Sequence, residues 1–194
     1  MLRHQINPGL ELRLLQPADA PALFALVEAN RKTLRTWLPW VDATTKLAHA
    51  QKFIAEALRD RAATRAFATG IWSSGQLVGV IWHNRIDWAN RVAFPAYWLV
   101  PAAEGRGIMT AACQAVITHA FTQLRVDRVV VAVATENQRA AALVRRLGFT
   151  QISTLKKAEW LYDHFVDHHI YSLQPKAPPG PSASGSPSPG APGE

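Results

Sequence analysis

Cysteine is nearly absent from this chain of 194 residues: Cys113 stands alone, which excludes an internal disulfide framework. Long apolar runs are missing as well. No stretch approaches the roughly 20 apolar residues that a membrane helix needs. Residues 1–15 carry Arg3, His4, Glu11 and Arg13 and no unbroken apolar region, so a secretory signal is not expected. There is no His-Glu-x-x-His spacing for zinc, no Gly-x-Ser-x-Gly elbow for a serine hydrolase, and no Gly-Lys-Ser/Thr phosphate loop. No internal repeat is apparent. What is left is 48% hydrophobic residues, a formal net charge of +7, and a length that suits one mixed domain with a real core. The basic excess favours polyanionic company, such as a nucleotide-bearing cofactor, RNA or a ribosome-associated target, although ordinary solubility explains it equally well. A cytoplasmic protein is the plain expectation.

The chemistry gathers around Glu104-Gly105-Arg106-Gly107-Ile108-Met109-Thr110. A strand-like run ending at Leu99 and Val100 leads in, and a helix-like run over 108–121 leads out. Two glycines let the backbone turn tightly and approach a ligand. A helix that begins there aims unpaired N–H groups and the positive end of its dipole at one spot, a ready anion site. Arg106 adds a mobile positive charge. The run is not the dinucleotide fingerprint, because Thr110 stands where a third Gly would be.

Around this centre the pattern predicts strands over 10–15, 67–72, 77–86, 92–100, 128–134, 149–160 and 165–173. Helices are expected from Asp19, a candidate N-cap, to about Asn30, then over 46–61, 108–121 and 137–147, the last stopped by Gly148. Three successive strands make an antiparallel meander, and Pro95 in the third suggests a bulge or a local loss of pairing. The run 128–134 reads as a strand buried on both faces, reached by a parallel crossover. Residues 174–194 are almost only Pro, Gly, Ser and Ala and are expected to be a disordered tail behind a folded domain of 1–173. Trp37, Pro39 and Trp40 form either an aromatic clamp for the next helix or the wall of a substrate cleft. His164, His168 and His169 beside Asp163 and Asp167 are a weak metal signal, because neighbours on a strand face opposite ways. His83 and His119 read as structural.

Three stretches, in order, resemble the GNAT N-acetyltransferase superfamily, and its branch for ribosomal-protein N-termini in particular. The central run resembles that family's acyl-CoA pyrophosphate loop. Asn30-Arg31-x-x-Leu34-x-x-Trp37-Leu38-Pro39-Trp40 resembles a signature of the branch. Lys156-x-Ala158-Glu159-x-Leu161, followed by Asp167-x-x-x-Tyr171, resembles its closing hairpin. A fourth piece, from Asn137 to Gly148-Phe149, is similar to the second superfamily signature.

The resemblance implies an α+β fold: a mixed, mostly antiparallel sheet with helices on both faces and a splayed strand pair at the acyl-CoA site. It implies acetyl transfer from acetyl-CoA, without a metal, to a primary amine, best the N-terminal α-amine of a ribosomal or other protein. Antibiotic or polyamine acceptors stay open, as does an idle acyl-CoA- or RNA-binding module. Ribosome association is a further expectation, no membrane partner is expected, and a homodimer is left open. Leu99, Val100, Glu104, Gly105, Arg106, Gly107, Ile108, Met109, Thr110 and Asn137 would hold the cofactor, with Glu104 serving through its backbone N–H. Asn30, Arg31, Trp37 and Trp40 would meet the acceptor. Glu159 would be the base, in an apolar setting of Ala158, Trp160 and Leu161 that disfavours its charged form. The serine and tyrosine that many relatives place after the helix-opening Asn are here Ala140 and Val144.

Overall fold

Leu10, Leu12 and Leu14 alternate with Glu11 and Arg13, and all three leucines are buried. In the computed structural model, which describes residues 3–175, this is a strand, but not the first one. A strand β1 (Arg3–Asn7) precedes it and pairs antiparallel with it across Pro8 and Gly9. β1 is an almost wholly exposed edge, so it carries no apolar alternation to read. Then follow β2 (Leu10–Leu14), α1 (Ala20–Leu34), α2 (Leu47–Ala62), β3 (Phe67–Ser73), β4 (Gln76–Asp87), β5 (Val92–Leu99), α3 (Ile108–Thr122), β6 (Arg128–Ala134), α4 (Gln138–Arg146), β7 (Thr150–Leu161) and β8 (His164–Leu173).

One eight-stranded sheet runs in the order β1-β2-β3-β4-β5-β6-β8-β7, antiparallel at every step except β5–β6. The expected mixed α+β fold is what forms. α1 and α2 cover one face, over Val80, Trp82 and Trp98. α3 and α4 cover the other, over Ile81, Tyr97 and Val131. The β3–β4 hairpin turns on Ser74 and Gly75, both at positive φ (50° and 78°), as the right-handed strand twist favours. Residues from 176 onward, most of the expected tail, lie outside the described residues.

Several expectations need correction. α1 runs past Asn30 to Leu34, because Leu34 is still on the buried stripe. Asp19 stands at the N-cap position but does not cap α1; its carboxylate accepts the Gln16 N–H at 2.8 Å and pairs with Arg13. β6 is not buried on both faces. Val129, Val131 and Val133 are buried beneath α3 and α4, whereas Ala132 is exposed, because α1 and α2 do not reach over β6. The extra residue near Pro95 lies in the partner strand: His83 faces Pro95 and Arg85 faces Phe94, so Asn84 is the bulge.

His83 points the other way, into the core. It is fully buried, its ring lies edge-on to Phe67 with centroids 4.7 Å apart, and neither ring nitrogen has a partner. Burial drives its pKa down from 6.5 to about 3. The folded pKa lies below the unfolded one, so the unfolded chain takes up the proton first as pH falls. Stability is therefore full above pH ~6.5 and is lost through the window down to pH ~3. Between pH 7 and pH 5 this site should cost ~2 kcal/mol of unfolding free energy, read from urea midpoints. His83→Leu should flatten most of that slope.

Candidate functional site

The turn between β5 and α3 is built as an anion cradle. Gly105 and Gly107 both sit at positive φ, 73° and 74°, and a Cβ added at either would meet open space. Gly107 is the N-cap of α3, so the N–H groups of Ile108, Met109 and Thr110 point out of the first turn without intrahelical partners. Arg106 is exposed beside them. Glu104 behaves differently from the expectation. Its N–H is taken by the Pro101 carbonyl at 3.1 Å, so it offers no donor. Its carboxylate is paired with Arg139 of α4 at 2.5 Å, which removes the repulsion an anion would otherwise feel.

Beside the cradle, β5 and β6 part. Their parallel ladder holds only Val92 with Arg128 and Ala93 with Val129. Pro95 is the next residue whose backbone faces β6, and it has no N–H to donate. Further along, the Val100 N–H is spent on Val78 at 2.9 Å, so Val100 contributes no free donor. Leu99 is in the alternate register, and its N–H and C=O face the gap instead. Asn137 stands at the N-terminus of α4, on the far side of the gap. Its Oδ1 caps the Ala140 N–H at 3.1 Å, which leaves the Nδ2 donors.

The face expected to meet the acceptor is set by register. β4, β5, β6, β8 and β7 pair so that Trp82, Trp98, Ala132, Ala134, His168 and Glu159 all lie on the face that carries α1 and α2. The setting expected for Glu159 is not found. Trp160 points to the opposite face, and the carboxylate, 37% exposed, lies 3.5 Å from His168 Nε2. His169 faces away and bonds Gln151 and Thr154. Among the described residues no group of three His, Cys, Asp or Glu could hold a metal.

The tip of the β7–β8 hairpin is tied back to the segment after α1. Tyr162 donates to the Leu38 carbonyl at 2.5 Å, and Arg35 stacks on the Tyr162 ring. Of the expected acceptor residues, Trp40 lines a cavity on this face, together with Trp82, Trp98 and Phe53. Asn30, Arg31 and Trp37 do not line it. Asn30 bonds back to Leu26 within α1, and Arg31 is spent on the Val41 and Thr44 carbonyls and Glu28, bracing the loop that carries Trp40. Trp82, Trp98 and Phe53 carry no motif that marks them in the sequence, and His168 stands out there only as a metal candidate, because the pattern of one element does not tell which face a residue shares with another.

An anion cradle at a helix N-terminus, beside a parted parallel strand pair, matches what the three sequence stretches imply. The acetyltransferase (GNAT) domain family matches residues 9–150. The chain belongs to this GNAT acetyltransferase family. It is 32% identical over 176 residues to YdaF of Bacillus subtilis (strain 168), provisionally named a ribosomal N-acetyltransferase, covering 89% of this chain and 95% of that one. It is 28% identical over 170 residues to the ribosomal-protein-serine acetyltransferase of Escherichia coli (strain K12), covering 87% and 94%. Among solved structures, RimL in complex with coenzyme A is similar at a TM-score of 0.85 and 29% identity, over 88% of this chain and 96% of that one. The self-immunity acetyltransferase MccE, in complex with acetyl-CoA and AMP, is similar at 0.83 and 28%, over 87% and 94%.

In this GNAT domain the places of the usual serine and tyrosine are filled by Ala140 and by Val144, which is buried. Val144 shares a narrow apolar slot with Pro95, Tyr97 and Cys113. The Tyr97 hydroxyl is buried there with no hydrogen-bond partner, and burial pushes its pKa well up, so it stays protonated. Burial also raises the Cys113 thiol to about 12, as befits a core residue rather than a nucleophile. No helix is long and apolar enough to cross a membrane among the described residues.

Proposed function

We propose that this acetyltransferase moves acetyl from acetyl-CoA to a primary amine, with the N-terminal α-amine of a ribosomal or other protein as the favoured acceptor. One observation carries the reading. The β5–β6 gap runs up to the donor-rich start of α3, while Glu159 lies on the open face of the same sheet. The complexes of RimL with coenzyme A and of MccE with acetyl-CoA and AMP, and the name of the Escherichia coli relative, support it.

In this reading Gly105, Arg106, Gly107, Ile108, Met109 and Thr110 hold the pyrophosphate, and Leu99 and Asn137 hold the amides of the cofactor arm. The amine must arrive neutral. At pH 7 about a tenth of an α-amine (pKa ~7.7–8.0) is neutral, against under a thousandth of a lysine (~10.4). Glu159 takes the proton of the ammonium form, directly or through water, so that the neutral nitrogen can bond the thioester carbonyl carbon and then pass its surplus proton to the departing CoA. The C–S bond then breaks and CoA leaves. A thiol of ordinary pKa ~8.5 leaves partly as thiolate, so the absence of the serine and tyrosine at Ala140 and Val144 need not stop turnover. Residues 1–173 form the catalytic domain, with 174–194 a tail. A cytoplasmic setting and ribosome association belong to the same reading, a homodimer is compatible with it, and the net charge of +7 fits contact with polyanions.

The test is CoA release, followed with a thiol reagent, against free and N-terminally blocked peptides, lysine side chains, polyamines and an aminoglycoside. Release with free N-termini, lost on blocking, is expected. Release with polyamines alone would move the acceptor to small amines. No release with any amine, despite acetyl-CoA binding, would leave only a binding module.

A further inference from the structure

The cavity of about 560 Å³ between α1, α2 and the sheet is walled by aromatic rings. Trp40 and Trp98 are tilted at 50° with centroids 6.1 Å apart, and Phe53 meets Trp82 edge-on at 6.5 Å. These pairs do not stack on one another; the cavity lies among them. Across the β4–β5 ladder Trp82 faces the small Ala96. Trp40, Phe53 and Trp82 are only half-buried although they border the core. Asn84, Lys52 and Glu56 add polar groups to the lining.

Size and lining are those of a ligand pocket rather than a packing defect. They are ill-suited to the hydroxymethyl side chain of serine, the residue named for the Escherichia coli relative. The pocket also lies on the acceptor face that holds Glu159, and Trp98 belongs to β5, the strand that borders the gap.

We infer that this cavity is the specificity pocket for the acceptor, and that it takes an uncharged planar ring carried close to the reacting amine. The substrate class is aromatic primary amines, whether a peptide beginning with Trp, Tyr or Phe or a free arylalkylamine. Rings favour tilted and edge-on contacts of the kind these four residues already make, and a ring buries far more apolar surface than a hydroxymethyl group. The inference rests on the acetyltransferase reading for the amine, but the ring site itself does not.

Two measurements on the full chain test it. The first is equilibrium binding of tryptophanamide and serinamide without acetyl-CoA, by calorimetry. The second is kcat/KM for matched peptides that begin with Trp, Phe, Leu or Ser, together with phenethylamine. Tryptophanamide should bind and serinamide should not, and Trp or Phe peptides should exceed the Ser peptide by about 30-fold or more in kcat/KM. In Trp82→Leu that ratio should fall at least ~10-fold toward unity, mainly through KM, with the acetyl-CoA-induced melting shift retained as proof of folding. If Trp82→Leu does not fold, Phe53→Leu replaces it.

Faster turnover of both peptides and phenethylamine supports the ring alone as the determinant; faster turnover of peptides only supports a chain N-terminus. Equal turnover of Ser and Phe peptides, with no ring binding, overturns the pocket and leaves acetyl transfer standing. Ring binding that depends on Trp82, without acetylation of any amine, keeps the pocket and sinks the transfer reading.

Discussion

Glu159→Gln should slow acetyl transfer by ~100-fold or more near pH 7, the usual scale for a positioned base, with acetyl-CoA affinity little changed. Gln keeps the size and a hydrogen-bonding carbonyl but cannot take the ammonium proton. The deficit should shrink as pH rises past the acceptor amine's own pKa of ~7.7–8.0, because solvent then delivers the amine already neutral. Rates of parent and variant from pH 6 to pH 10 decide the matter. If they coincide near pH 7, Glu159 is a strand residue and the base lies elsewhere. The structure narrows that search. His83 is enclosed beneath Phe67 on the opposite face, and His164 is engaged with Asp163 at the exposed hairpin tip. His168, 3.5 Å from Glu159, is the group already in place.

Gly107→Asp should abolish the rise in melting temperature that acetyl-CoA gives the parent. With cofactor at ~100 times its Kd, mass action adds ~2.7 kcal/mol to the native state, a shift of several degrees. A Cβ there finds open space, and although the left-handed φ of 74° strains any side chain, Asp tolerates it better than most residues. What it brings is a negative charge at the positive end of α3, where the phosphates would sit. Gly107→Asn is the matched neutral control and should keep most of the shift. Equal losses in both variants would mean that the backbone, not the charge, is at fault. No loss in Gly107→Asp would place the cofactor elsewhere.

The fold was largely readable in the chain because its strands are apolar runs set off by turn residues, and β2 alternates cleanly. Leu10, Leu12 and Leu14 announce their face, and Ser74-Gly75 announces the hairpin. β1 was unreadable for the complementary reason: a polar edge strand has no buried side to print a pattern. The apolar run 128–134 misled because Ala132 is small enough to sit exposed at little cost, so composition looked two-sided where packing is one-sided. At the site, the turn residues from Glu104 to Thr110 were legible as a local motif. The ion pair of Glu104 with Arg139 was not, since the two residues are far apart in sequence and meet only across the gap. The aromatic cavity was hidden for a third reason. Trp40 comes from a loop, Phe53 from α2, and Trp82 and Trp98 from two strands, and only the register turns them inward together.

That register has a consequence at Asn84. The residue is supernumerary: His83 already faces Pro95 and Arg85 faces Phe94, so excising Asn84 would leave every other pairing of β4 with β5, and the face of each side chain, as they are. It therefore behaves as a shim rather than as a rung. The sheet can gain or lose it without renumbering its partners, and what changes is the lining of the Trp-lined cavity, to which Asn84 contributes. In the proposed pocket, acceptor choice would then be retuned by the length of one strand, independently of the cofactor cradle at its neighbour's end.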